Sequence, residues 1–449
     1  MGDNGRDVVM ECSLKYSLYG ADGSPDAEGE AVAHLSEETL DLLPSFGEAL
    51  LFTFREITDL DASDYRLNLL LSSGERLTLF HLGHRYEDFC RVLSRLRNEV
   101  MIRDLLMKEN LVASGMKARY VHVDDVGREV RGESELRLYE TALVVIPEGA
   151  GIMRLPYSYI SSVREEDYAL KVTIEDGGEF VFSHLGRQLD YLRKSLSEVM
   201  NELALATQHR LNELVPAVGP SAIRRAAGLL KDGRAARRSD LEAISPDLWI
   251  GLEENLEAMG LAEKYGFLKS LSQRDRTCIG FKRGLLGDLT GEYAWFLVPI
   301  YDTDPDRPGN AVAMEAVSED GTGRATYFFR IIGRGAYREA QGMDLLHREA
   351  DAFIRTMNRC MLAINFRREP IYFPEQRLME PRYAHYRVAV EKIPELKTLR
   401  DHFIGRVLHP SSQQWQRNVI DLLRFNVSAR DDSCRWQRPG ASAAQQSPE

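Results

Sequence analysis

The first half of this chain is written twice, and that duplication limits its possible folds more than any other feature. Shifting the sequence by 103 positions lays residues 14–96 over 117–199 without a gap. Ile57 falls on Ile160, Tyr65 on Tyr168, Leu67 on Leu170, Gly74 on Gly177 and Pro44 on Pro147, and His81-Leu82-Gly83 falls on His184-Leu185-Gly186. The identities number 17 in 83 pairs, and the apolar pattern matches between them. A copied module reuses one fold, so whatever architecture suits the first copy must also suit the second.

Each copy has a readable periodicity. Tyr168, Leu170, Val172 and Ile174 alternate with Ala169, Lys171, Thr173 and Glu175, the two-residue period of a strand with one buried face. Tyr65, Leu67, Leu69 and Leu71 repeat it. Short Gly-bearing turns follow at Ser72-Ser73-Gly74 and Asp176-Gly177-Gly178, and then a second alternating run begins. The period next changes. Tyr86, Phe89, Leu93, Leu96 and Val100 recur every three or four residues, as do Leu189, Leu192, Leu196, Val199 and Leu203, so each copy should end in an amphipathic helix. Upstream, strands are expected near 14–19, 31–35, 39–43 and 49–55. In all, six or seven antiparallel strands and one closing helix fill roughly 90–100 residues.

That order and size resemble the pleckstrin-homology-like (PH-like) superfold, a bent antiparallel barrel plugged at one end by its last helix. The resemblance covers about residues 10–205 and rests on strand count and the terminal helix. The fold class it implies is α+β, with tandem PH-like domains at 10–109 and 114–208 separated by a short linker at Ala113-Ser114-Gly115. A helical linker should fill 209–275, with start signals at Ser239…Glu242 and Ser245-Pro246. A C-terminal α+β domain then spans 276–427. Its strands at 293–301, 311–317 and 325–332 precede a long helix near 340–366, whose apolar face carries Leu346, Ala350, Phe353, Met357 and Ile364. Strands followed by a helix leave a diverged third PH-like unit open there. A further strand is expected at 383–391 and two helices at 394–408 and 412–425. The tail, 428–449, is poor in apolar residues and expected to be disordered.

Four constellations invite a chemical reading. His81 and His184 sit where the last strand meets the helix, and the copying of both favours a structural role beside a turn-forming Gly. Asp302, Asp304 and Asp306 open like a calcium loop, but Arg307 stands where Gly is needed and Ala313 where a bidentate Glu is needed. Asp344, His347 and Asp351 share one face of the long helix and read as a solvated polar face. Gly284, Gly287 and Gly291 lack the Lys-Ser/Thr ending of a phosphate loop. No metal or other cofactor is expected, and no catalytic motif is recognisable.

Charge bears most on partners. The chain carries a net −12, with 7 basic against 15 acidic residues in 14–96 and 11 against 15 in 117–199. Between 214 and 238 the balance reverses: Arg224, Arg225, Lys231, Arg234, Arg237 and Arg238 face only Asp232. That segment reads either as a docking stripe for an acidic partner, nucleic acid or membrane surface, or as a strip that lies against the chain's own acids or is simply solvated. It has no interleaved aromatic residue, which disfavours single-stranded nucleic acid in particular. The phosphoinositide site of PH domains lies on the first strand and the loop after it. Here that loop holds Asp22, Asp26, Glu28 and Glu30 in one copy, and in the other Arg128 and Arg131 stand among Asp124, Asp125, Glu129 and Glu133, so phosphoinositide is not expected.

What the resemblance leaves is a non-catalytic adaptor or scaffold that binds protein or peptide partners. A peripheral binder of membrane surface or nucleic acid, acting through 224–238, is the second reading. An enzyme with an unrecognised site in 278–425 is the third. Five scattered cysteines without a CxxC pair, and no export signal, point to a cytoplasmic setting.

Overall fold

A computed structural model describes residues 7–437 except 106–108, 125–126, 148–150, 176, 284–291, 305–306, 308, 319–324 and 341. The glycines 284, 287 and 291 and Asp306 lie outside the described residues. The chain divides into two units, Met1–Ser197 and Glu198–Glu449.

The first unit holds two sheets of seven antiparallel strands. In the first copy the strands are β1 (Met10–Tyr19), β2 (Pro25–Leu35), β3 (Thr39–Pro44), β4 (Leu50–Thr53), β5 (Ile57–Ser63), β6 (Arg66–Leu71) and β7 (Arg76–Phe80), followed by helix α1 (Tyr86–Asp104). The second copy has β8 (Leu111–Val123), β9 (Glu129–Tyr139), β10 (Ala142–Pro147), β11 (Met153–Pro156), β12 (Ile160–Glu166), β13 (Ala169–Ile174) and β14 (Glu179–Ser183). Helix α2 (Gln188–Leu214) follows, starting in the first unit and ending in the second. Both sheets run in the same spatial order, β4-β3-β2-β1-β7-β6-β5 and β11-β10-β9-β8-β14-β13-β12. In the first copy, Phe89, Leu93, Leu96 and Val100 of α1 join Leu14, Tyr16, Leu40, Phe54, Leu67 and Leu79 in one core. Burying such side chains stabilises by about 1.5–3 kcal/mol each.

Backbone detail repeats too. Left-handed φ values recur at Asp64 and Asp167, Tyr65 and Tyr168, His81 and His184, Gly74 and Gly177, and Gly83 and Gly186, always 103 apart. His81 and His184 (φ 61° and 59°) are exposed corner residues at the strand-to-helix turn.

In the first strand the offset is 104 instead. Tyr16 pairs with Gly29 and Leu79, and Tyr120 with Gly132 and Phe182. A Cβ added to Gly29 or Gly132 would meet the Tyr16 or Tyr120 ring at 3.5 or 3.4 Å. The extra residue of the first copy is absorbed in a bulge beside Leu18 and Tyr19, where the pairing skips Asp26. The gap-free alignment therefore fails at residues 14–25, because a one-residue slip sends every side chain to the opposite face. Ala113-Ser114-Gly115 likewise is no linker. It is the irregular start of β8, with register shifts on both sides of Ala113.

The second unit is built on a six-stranded antiparallel sheet in simple chain order. Its strands are β15 (Ala236–Arg237), β16 (Cys278–Arg283), β17 (Glu292–Ile300), β18 (Ala311–Ser318), β19 (Ala325–Arg330) and β20 (Phe403–Leu408). That meander differs from the order shared by the first unit's sheets. One face packs on α3 (Pro220–Leu229), α4 (Pro246–Ala258), α5 (Ala262–Leu271) and a C-terminal helix, Ser412–Ser428, through Ile223, Leu252, Leu268, Trp415 and Leu422. The other face lies under α6 (Met343–Ala363) and the turn after it, with Phe329 against Phe353 of the helix and Trp295 against Phe366 of the turn. A sheet covered on both faces reads as unbroken apolar runs, as β19 (ATYFFR, every residue buried) does.

Residues 383–391, expected as a strand, form most of α7 (Ala384–Lys392). The segment 394–408 is divided between α8 (Pro394–His402) and β20, which precede α9, the Ser412–Ser428 helix. The tail expected to be disordered is tied down as far as Trp436. The Arg334 guanidinium donates to the carbonyls of Asn426, Asp431 and Cys434, and the Trp436 amide donates to the Ile404 carbonyl at 2.9 Å. No helix among the described residues is long and apolar enough to cross a membrane.

Candidate functional site

The six basic residues of the expected stripe do not stay together. Arg224 and Arg225 are exposed on α3, while Lys231 and Arg234 are half-buried in the turn before β15. Arg237 donates to Asp240 at 2.7 Å and to Asp351 at 3.1 Å. Arg238 donates to Glu242 at 2.8 Å and lies over the Trp249 ring. The segment between them is anchored. Asn358 donates to the Ala235 carbonyl at 3.1 Å and accepts from its amide at 2.8 Å. Lys282 lies 3.4 Å from the Asp232 carboxylate in a buried pair. Trp295 Nε1 donates to the Gly233 carbonyl at 2.8 Å, and a Cβ on Gly280 would sit 2.5 Å from that nitrogen. What was expected as a continuous helical linker is thus helix, turn, edge strand and helix, with part of its charge spent on neighbouring carboxylates.

Two polar clusters in the second unit gather reactive residue types. Asp351 on α6 accepts from Arg237 and, at 2.6 Å, from Arg276, while His347 one turn earlier shares a 2.7 Å hydrogen bond with the Tyr301 hydroxyl. This helix face, expected to be solvated, is half-buried at these two residues, beside Arg237 of β15, Arg276 just before β16 and Tyr301 just after β17; Asp344 is exposed. Glu315 on β18 is fully buried. Its Oε2 accepts from Thr326 at 2.7 Å and its Oε1 lies 3.4 Å from His409 Nε2, while Trp415 donates to Thr326 at 3.0 Å. Both clusters link side chains of different elements. Burial pushes the Cys278 and Cys360 thiols up, so both stay protonated near neutral pH. Among the described residues no three His, Cys, Asp or Glu side chains converge as a metal site requires.

The first unit offers a surface instead. On the outer face of the first copy's sheet, Val32 on β2 stands opposite Leu43 on β3, and Leu51 on β4 lies diagonally across from Leu43. Phe46, in the β3–β4 turn, is 95% exposed, Leu51 53% and Leu43 40%. Sequence reasoning missed this face, although a signal was present. The adjacent pairs Leu42-Leu43 and Leu50-Leu51 break the two-residue alternation, so one Leu of each pair must point away from the core.

The same face of the second copy is covered. Arg137 on β9 forms a 2.6 Å ion pair with Glu99 of α1, and Glu109 takes Thr141 and Arg154. Ile102 on α1 and Leu105 just beyond it are buried although neither belongs to the first copy's core cluster, which ends at Val100. Every residue of β10 is buried, including the outward-facing Val144 and Ile146. The Glu99–Arg137 pair sets the last turns of α1 against the outer face of β9.

No family model matches the chain, and no curated protein matches it. Among solved structures, one match is the "Structure of the Spt16D Pob3N heterodimer", 12% identical over 37% of this chain and 84% of that one, with a TM-score of 0.16. A superposition that loose decides nothing about this chain.

Proposed function

We propose that the chain is a non-catalytic adaptor whose first unit, read as two tandem PH-like modules, binds a protein or peptide partner. The observation that supports this most is the unequal cover of two equivalent faces: helix α1 lies on the second copy, while the first copy presents Leu43, Phe46 and Leu51 to solvent. Exposed apolar side chains clustered on one face mark an interaction surface. The partnered polar clusters and protonated thiols of the second unit fit a protein that works by contact.

Chemical cross-linking of the full chain in an extract of its own cells, read by mass spectrometry, tests this. The expected result is a specific protein partner cross-linked to residues 7–197, with capture that tolerates moderate salt. Capture that fades steeply with salt and is lost on Arg224→Ala/Arg225→Ala would favour the second reading, carried by the two basic residues that face solvent on α3. Absence of any partner, with a bound metabolite recovered from the purified protein, would discard the adaptor.

A further inference from the structure

The duplication gives the bare face a template. On the second copy, Glu99 of α1 pairs with Arg137, Glu109 beyond the helix takes Arg154, and Val144 and Ile146 on the same outer face are buried. The first copy holds His34, Leu51, Asp41 and Leu43 at the positions of Arg137, Arg154, Val144 and Ile146. Its sheet has the same strand order and register, so a helix finds the same pleated floor there. The charge differs. Arg137 and Arg154, which draw carboxylates to the second copy, are replaced by His34 and Leu51, and Glu11, Glu30 and Glu48 around the patch are exposed. His34 is itself 3.4 Å from Glu11, and Lys15 is 3.0 Å from Glu30. The first copy carries 7 basic against 15 acidic residues, so its surroundings attract cations.

We propose that Val32, Leu43, Phe46 and Leu51 seat a basic amphipathic helix of a partner protein, in the place that α1 takes on the second copy. The proposal rests on the adaptor reading and adds the docking face and the chemistry of its occupant. An aliphatic stripe on the helix covers the four apolar side chains, and Lys or Arg on its flanks meet the carboxylate rim.

The test titrates the full chain into a fluorescein-labelled, hydrocarbon-stapled helix of about four turns, with leucines at i, i+3, i+4 and i+7 and lysines on both flanks. The same helix with glutamates for lysines serves as comparison. A saturable rise in anisotropy is expected with the lysine helix alone, weakened about tenfold or more by Leu43→Arg/Leu51→Arg and by Phe46→Ser. These side chains are exposed, so the variants should keep the wild-type circular dichroism and melting profile. Arg224→Ala/Arg225→Ala should leave binding unchanged. Equal binding of both helices, no saturable binding, or indifference to the Leu43 and Leu51 changes overturns the proposal. So does sedimentation showing a dimer that Leu43→Arg/Leu51→Arg dissociates, since the occupant is then a second copy. If the helix test fails while cross-links still map elsewhere on residues 7–197, the docking face is refuted and the adaptor stands; if neither succeeds, both fall.

Discussion

At the β5–β6 tip Asp64 and Tyr65 adopt φ of 49° and 56°, and at the β12–β13 tip Asp167 and Tyr168 adopt 51° and 60°. Two consecutive left-handed residues make the tight hairpin turn that usually takes Asn-Gly, because glycine has no Cβ to clash. A tyrosine there costs about 1 kcal/mol. Tyr65 offsets part of that cost, since its ring lies 5.4 Å from Tyr86, whereas Tyr168 is 89% exposed. Tyr168→Gly should therefore raise stability by about 0.5–1 kcal/mol in urea denaturation, the gain trimmed by the greater freedom of glycine in the unfolded chain. An unchanged or lowered midpoint would show that the tyrosine makes a contact worth keeping. Asn358 lies at the other extreme. Its two hydrogen bonds serve both polar groups of buried Ala235, so Asn358→Ala strands two backbone partners and should cost about 2–4 kcal/mol.

The last turn of α1 is an element with two jobs. Toward the first copy, Arg55 donates to Asp104 at 2.6 Å and also pairs with Glu38, which Arg103 reaches as well. The Arg55 hydrogen bond, helped by both guanidinium charges, outweighs burial and holds the Glu38 carboxyl below the usual carboxylate range. A lowered carboxylate pKa contributes stability above the unfolded value of 4.5 and loses it as pH falls through the lower folded value. Glu38→Gln should therefore flatten the acid limb of the stability profile below about pH 4.5 and leave the alkaline limb alone; an unchanged acid limb would remove Glu38 from the account. On the helix face that carries Glu99, Ile102 is buried, and Ile102→Ala should cost about 2–4 kcal/mol in denaturant titration, far more than a surface change. This double duty explains what the sequence could and could not reveal. The core stripe Phe89, Leu93, Leu96 and Val100 follows helical spacing and is readable, but nothing local marks Ile102 as buried from behind. Strands with one wet face, such as β6 and β13, alternate and are legible, whereas β15, two residues long, leaves no periodic trace. The first-strand slip escaped for a related reason. Leu14, Tyr16 and Leu18 alternate correctly in either register, and only pairing with Gly29 or Gly132 shows which is used.

On the scale of the whole molecule, each unit has a core cluster of its own. One in the first copy runs from Cys12 to Val100, and one in the second unit from Leu211 to Leu423. Cooperative unfolding follows a shared core, so clusters divided in this way should melt as separate events. Differential scanning calorimetry of the full chain should then resolve two transitions, and the residue-scale changes assign them. Asn358→Ala belongs to the second unit and should lower one transition by roughly 5–10 °C, while Tyr168→Gly should raise the other by about 1–4 °C. Charge gives a second handle. Residues 14–96 and 117–199 are acidic and repel themselves, so added salt should favour the first unit's transition more than the second's, where Arg237, Arg238 and Arg276 already meet carboxylates. If both substitutions move a single transition together, the chain unfolds as one cooperative body, and the separation of a partner-binding unit from a scaffold unit loses its thermodynamic basis.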